Sequence, residues 1–263
     1  VPKQKRIRKR NNFSMNGSSF FEKLTDVCHD LLYHDRKTFG YLNDHRGLSA
    51  SMISKYKIGA FPKDLRILFD RLSVDELVEN GIIWNAYESP FKYSQNKIHY
   101  PVVIPISNTQ GKAIAIGCRT LMSDKEREKY KVPKYKNSEY KKGAYLFGMD
   151  KAIRTIREHD KVFVVEGYFD VLSCHQAGIT NVVASCGTAF TQRQLSTLSR
   201  YTENIVLLFD NDNPGRLSSK KAMQRFDDDS LISANLTCRF TPDGYKDIDE
   251  YLCRGGDLNF FIG

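Results

Sequence analysis

Apolar residues recur at three- and four-residue intervals through the first third of the chain and in short unbroken runs through the last. Phe20, Leu24, Val27, Cys28 and Leu31 fall on one helical face, which predicts an amphipathic helix over 19–34. Shorter helices are predicted over 36–43 and 48–56, the second bracketed by Gly47 and Gly59. Ser73 to Glu76 forms a capping box for a further helix, stopped by Asn80-Gly81. The period then shortens. Segments 100–106 and 112–121 alternate like strands around the turn residues 108–111, which predicts a hairpin whose second strand leads into Arg119.

From Gly148 onward the pattern becomes β-α-β. Helices are predicted over 150–158, 170–177, 191–201, 214–226 and from 247 to 253, and strands over 162–166, 181–186, 205–210 and 236–240. The strands are near-continuous apolar runs, as expected of strands buried on both faces of a parallel sheet. The fold class is therefore α/β: a mixed helical and β-hairpin N-terminal part, then a mostly parallel sheet flanked by helices.

Composition narrows the partners. The chain has 263 residues and is 41% apolar, enough for a substantial core, and no run approaches the ~18 apolar residues of a membrane span. No signal peptide is visible, and the sequence opens on Val1, which reads as a cut or processed piece. Six cysteines are scattered without a C-x-x-C pair, so reduced structural thiols and a cytoplasmic setting are expected. A net charge of +9 suits a polyanion. Residues 1–12 carry six Lys/Arg and no acid, a basic arm or linker. Residues 123–142 carry eight Lys/Arg against four acids, with Tyr130, Tyr135 and Tyr140 interleaved. Cations grip phosphates and rings stack on bases, so this stretch is read as a loop for single-stranded nucleic acid, against the alternative of a solvated charged loop.

The chemistry sits at strand ends. The run 162–165 ends in Glu166, Gly167 and, three residues on, Asp170; the run 205–209 ends in Asp210 and Asp212. Ligands of open α/β sheets lie beyond the carboxyl ends of the strands. Adjacent parallel strands would put Glu166, Asp210 and Asp212 on one rim, where they repel unless a hard divalent cation such as Mg²⁺ is present. Strand alternation would aim Asp210 and Asp212 at one metal, and Asp247 and Asp249 share the spacing. Glu166 fits either a general base or a ligand. The competing reading is that these acids merely cap helices. No Walker A, Ser-His-Asp or zinc-ligand spacing offers another chemistry.

An apolar strand ending in E-G-Y-F-D at 166–170, a second ending in D-N-D at 210–212 and a third acidic pair resemble the TOPRIM domain. RGLS at 46–49, YKIGAFP at 56–62, VVIPI at 102–106, GCR at 117–119 and PKYKNS at 133–138 resemble the DnaG-type primases, in that order. LFGMDKA, ASCGTAF, FDNDNPGR and PDGYKDID extend the resemblance over roughly 40–255. It implies an RNA polymerase core that makes short RNA primers from ribonucleoside triphosphates on single-stranded DNA during replication. It implies Mg²⁺ or Mn²⁺ held by Glu166, Asp170, Asp210, Asp212, Asp247 and Asp249, with Glu166, Asp210 and Asp212 catalytic. It assigns template or nucleotide contacts to Arg119, Lys134, Tyr135 and Asn137, with Lys97 and His99 near further basic positions.

The expected division is 1–13 arm, 14–150 N-terminal primase-core subdomain, 151–257 TOPRIM domain and 258–263 the start of a C-terminal region. The family's zinc-binding domain and helicase-contacting region are expected outside this sequence, so no zinc is expected within it. Asn211 stands where the family often has Gly. Alternatives are another TOPRIM enzyme, a nuclease or topoisomerase, or a single-stranded-DNA-binding fragment without activity.

Overall fold

The computed structural model describes residues 19–83, 94–95, 98–186, 190–212, 215–216, 223 and 234–262. The basic arm, Lys97, the side chain of His99 and most of the helix expected over 214–226 lie outside the described residues.

Helix α1 (Phe20–Leu32) starts where Ser19 and Glu22 form a capping box: Glu22 N donates to Ser19 Oγ at 3.3 Å and Ser19 N to Glu22 Oε2 at 2.6 Å. Its buried face carries Leu24, Val27, Cys28 and Leu32. Helix α2 (Arg36–Gly40) passes into a widened π-helical turn, Tyr41–His45, that delivers Arg46 to the end of the turn. Helix α3 (Ala50–Lys55), capped by Ser49, precedes the short strand β1 (Gly59–Ala60). The contact of α1 with β1 is backbone to backbone: a Cβ at Gly59 would lie 2.5 Å from the Cys28 carbonyl carbon. Helix α4 (Val74–Glu79) follows, with the expected Ser73–Glu76 box.

After a small ribbon of β2 (Ser94–Gln95) and β3 (Ile98–His99), the expected hairpin forms from β4 (Val102–Ser107) and β5 (Ala113–Arg119). It is extended into an antiparallel sheet of order β1-β4-β5-β6. The stretch expected to be a loop, 123–142, is partly ordered instead. Ser123 and Glu126 form another capping box and open α5 (Asp124–Tyr130), and β6 (Tyr135–Asn137) pairs with β5 as the sheet edge. Pairing fixes Arg119 opposite Tyr135 and Gly117 opposite Asn137.

The second half is α6 (Met149–His159), β7 (Val162–Val165), α7 (Tyr168–Gln176), β8 (Val182–Ala184), α8 (Gln192–Leu198), β9 (Asn204–Phe209), β10 (Asn235–Phe240) and α9 (Ile248–Cys253). The strands form a parallel sheet of order β10-β9-β7-β8. Period-two alternation explains the unbroken apolar runs. Val162, Val164, Val183, Ile205 and Leu207 face one core with α6 and α8. Phe163, Val165, Val182, Ala184, Val206 and Leu208 face another, which also takes in Leu42, Met52, Tyr56, Val102 and Ile104 from the first half. The two halves therefore share a core. Phe261, near the end of the chain, packs edge-on against Phe163 in the same cluster.

His175 on α7 locks this junction as a packing residue. Tyr56 OH donates to its Nδ1 at 2.7 Å and its Nε2–H donates to Val182 O at 2.8 Å, a neutral tautomer consistent with burial pushing its pKa down to about 4. The cysteines form no disulfide among the described residues, and Cys28, Cys118, Cys174 and Cys186 are buried. No described helix is long and apolar enough to cross a membrane.

Candidate active site

Strands β7 and β9 are parallel neighbours, so their carboxyl ends open on the same side. There, a cleft of about 370 Å³ lies between the parallel sheet and the edge of the antiparallel sheet. Glu166, Asp170, Asp210, Asp247 and Asp249 line its acidic wall. Arg119, Lys134, Tyr135 and Asn137 line the opposite, basic wall. The structure thus brings together every expected site residue in this cleft except Asp212.

The exception has a physical reason. Strand β9 ends at Phe209, so the alternation expected to point Asp210 and Asp212 the same way stops before either. Asp210 turns into the cleft; Asp212 is exposed and its Oδ1 accepts from Gly215 N at 2.7 Å. Asp247 and Asp249 likewise sit at a helix start, not in a strand. Asp247 is the N-cap of α9 and accepts from Glu250 N at 2.8 Å. Asp249 meets Arg46 Nη2 at 2.5 Å and accepts from Ser173 Oγ. Asp170 accepts from Gly167 N at 3.0 Å and Asp249 N at 3.2 Å, so capping and cleft lining coincide in one carboxylate.

Arg46, Lys142 and Lys246 also line the cleft and were not among the expected site residues. Arg46 lies in the RGLS motif and Lys246 in PDGYKDID, so the signal was present. Only the fold shows that they converge. Arg46 stacks 4.1 Å above the Phe169 ring, and Arg119 is caged by Tyr41, Tyr135 and Phe169 at 5.5, 5.2 and 5.2 Å. Arg119 Nη1 donates to Tyr135 OH at 2.8 Å, and Asn137 Nδ2 to Tyr168 OH at 3.0 Å. These contacts fix the basic groups by their ring and amide frames.

Four polar atoms on cleft-lining residues are nevertheless buried without a hydrogen-bond partner: Arg46 Nε, Arg119 Nε, Asn137 Oδ1 and Glu166 Oε1. Native proteins seldom leave such atoms unpaired, so four of them on the residues of one cleft mark a place for a polar ligand. The electrostatics agree. Burial, then the charges of Asp170, Glu166, Asp247 and Asp212, push Asp210 up to about 8. Burial, then Asp247 and Asp249, push Asp170 up to about 7. Burial and Asp212 raise Glu166 as well. On the other wall, burial followed by Arg119, Lys246 and Arg46 lowers Lys134. Each wall carries strain that an opposite charge would relieve.

Among the described residues, no group of three or more His, Cys, Asp or Glu side chains is arranged to hold a metal by itself. The donor chemistry still suits a hard divalent cation. Mg²⁺ is commonly held by one or two carboxylates and completed by water and substrate phosphates, and Glu166 and Asp210 are the two with least capping duty.

This gives a pH prediction for protein stripped of metal. The folded values of about 7 and about 8 for Asp170 and Asp210 lie above the ordinary unfolded carboxylate value near ~4. The folded state therefore binds more protons between these limits, and stability falls as pH rises through them. Discounting for the partial exposure of Asp210, a total of about 2 kcal/mol lowers Tm by about 4–8 °C from pH 5.5 to 8 in chelator. Added Mg²⁺ should recover most of that fall at pH 8. Thermal melts showing a flat Tm across this range in chelator would contradict the repulsion described here.

Comparison with known proteins agrees with this arrangement. Residues 28–153 match the family model of the DNA primase catalytic core, N-terminal domain, and residues 163–252 match a Toprim-like model. The chain is 35% identical over 226 residues to the DNA primase of Synechococcus elongatus, covering 81% of this chain and 31% of that protein. Among solved structures, the E. coli primase catalytic core aligns with TM-score 0.77 and 27% identity, covering 92% of this chain and 77% of that one. A DnaG primase catalytic domain bound to single-stranded DNA aligns with TM-score 0.75 and 27% identity, covering 92% and 78%. The chain spans less than half the length of the curated relatives it matches.

A parallel sheet with acidic strand ends, joined through a shared core to a basic antiparallel sheet, defines a Toprim protein of the primase class. The chain belongs to the DnaG-type DNA primase family. That family implies a divalent metal.

Proposed function

We propose that this chain is the RNA polymerase core of a DnaG-type primase, joining ribonucleotides into short primers on single-stranded DNA with Mg²⁺ or Mn²⁺. The observation that carries the reading is the set of four unpartnered buried polar atoms, contributed by both walls of one cleft. When bound, the divalent cation would neutralise triphosphate charge and polarise the phosphate under attack. Glu166 and Asp210 would hold it, with Asp170, Asp247 and Asp249 setting the field around them.

The remaining work is positioning. Primer extension needs a 3′-hydroxyl aligned with the α-phosphate of the incoming nucleotide, with pyrophosphate leaving. Arg119, held by its aromatic cage, offers its guanidinium to an anion without having to be ordered first. Lys134 and Lys246 supply cationic charge at the same wall, and Asn137 Oδ1 is an acceptor for a base or sugar donor. The solved relative bound to single-stranded DNA supports a template of that kind.

The test is primer synthesis by this chain on single-stranded DNA with ribonucleoside triphosphates and Mg²⁺ or Mn²⁺. Metal-dependent oligoribonucleotides support the reading; template binding without synthesis reduces the chain to a binding module, and cleavage of DNA points to a Toprim nuclease. A separate expectation concerns Lys134→Ala. Loss of one phosphate contact should weaken single-stranded DNA binding and make the slope of log K against log[salt] shallower by about 0.7–1. Titrations at several salt concentrations that return an unchanged slope would make Lys134 a bystander.

A further inference from the structure

Besides the β7–α7 turn with Glu166 and Asp170, the acidic wall draws on two separate arms. One is the turn after β9, which carries Asp210 and Asp212. The other is the segment after β10, which leads through Asp243 and Lys246 to Asp247 and Asp249. Among described residues, Asn211 spans the two. Its Nδ2 donates to Asp243 Oδ1 at 2.7 Å, and its Oδ1 accepts from Arg216 Nη2 at 2.6 Å. Arg216 in turn lies 4.9 Å over the ring of Phe240, the last residue of β10. The main chain is stitched at the same level, where Thr241 N donates to Phe209 O at 3.0 Å.

The first arm is itself tightly wound. Gly215 N donates to Asp212 Oδ1, Arg216 N donates to Asp212 O at 2.9 Å, and a Cβ at Gly215 would lie 2.2 Å from Asp210 O. A turn this tight behaves as one piece, so tethering Asn211 tethers both carboxylates beside it. Asn211 itself does not line the cleft.

We propose that Asn211 is a positioning residue: its amide clasps Asp243 and Arg216 and so sets the distance between the Asp210 arm and the Asp247–Asp249 arm. An amide is suited to this because it donates on one side and accepts on the other. A glycine there gives neither bond. The role of Asp243 is then that of a hydrogen-bond acceptor, not of a charge. The inference rests on the reading of the cleft as a divalent-cation site.

The test is direct binding of Mn²⁺, without nucleotide or DNA, followed by electron paramagnetic resonance. Asn211→Ala should raise the Mn²⁺ Kd about tenfold, the scale of losing a partner that orients a ligand. Asp243→Ala should do the same, and the double variant should be no weaker than either single one, since both remove one clasp. Asp243→Asn keeps an acceptor oxygen and loses the charge, and should bind within about twofold of the parent. Single-stranded DNA binding and Tm should stay at parental values in all of them.

An unchanged Kd in Asn211→Ala, additive effects in the double variant, or Asp243→Asn as weak as Asp243→Ala would overturn the clasp. The parent chain is the separating control. If it binds no Mn²⁺, the metal reading fails and takes the clasp with it. If it binds Mn²⁺ and Asn211→Ala binds equally well, only the clasp fails.

Discussion

Asp210→Asn is expected to reduce nucleotidyl transfer by about two to three orders of magnitude, the usual cost of removing one electrostatic stabiliser from a reacting centre. The same change should make the metal-free protein more stable at high pH. Burial and four neighbouring carboxylates hold Asp210 up at about 8, so below pH 6 the parent side chain is already neutral and the Asn variant should melt with it. Above pH 8 the parent carries a charge that its surroundings disfavour and the variant does not. After discounting for partial exposure, about 1 kcal/mol gives the variant a Tm higher by about 2–4 °C in chelator at pH 8.5. Activity assays paired with melts at pH 5.5 and 8.5 check both halves. Parental turnover in the variant would remove Asp210 from the cation site. An equal Tm at pH 8.5 would show that the carboxylates do not strain the fold. The pairing separates the two roles because a residue kept only for packing would lose stability, not gain it.

The parallel sheet was legible because burial on both faces leaves no polar positions inside a strand. Val162 to Val165 and Ile205 to Phe209 could be read as strands, and their ends as a rim, from that pattern alone. The pairing of β7 with β9 then placed Glu166 and Asp210 in one cleft. What could not be read was how the chain leaves each strand. Asp212 and Asp247 are turned by hydrogen bonds to the backbone amides of Gly215 and Glu250, and no strand alternation extends to them. The ordered part of 123–142 was missed for a different reason. High charge masked the capping box at Ser123 and Glu126, and β6 is only three residues long, too short to show a period. Arg46 is the more instructive omission. Its place in the cleft comes from the widened turn Tyr41–His45 and from the shared core that sets α7 against the first helices, both properties of the assembled chain.

Arg46→Ala should be the most damaging single change to stability at this site. The guanidinium is mostly buried, with 19% of its side chain exposed, and its partner Asp249 has 7% exposed. Burial alone would lower the Arg46 pKa; Asp249 first, then Tyr41, Tyr135 and Asp247, together outweigh it, so the group is held charged. Removing it leaves Asp249 buried beside Asp170 without its ion-pair partner, and takes the stacked plane off Phe169. Breaking a buried pair from one side costs about 3–5 kcal/mol, which is a fall in Tm of about 6–20 °C for a chain of this size. Arg46→Lys should recover only part of this, since an ammonium keeps the charge without the flat stacking surface. The decisive variant is Arg46→Ala with Asp249→Ala. If the cost comes from a stranded carboxylate, removing that carboxylate too should restore Tm toward the parent while leaving nucleotidyl transfer impaired. A double variant less stable than Arg46→Ala would mean that the loss comes from packing on Phe169 and not from a stranded carboxylate.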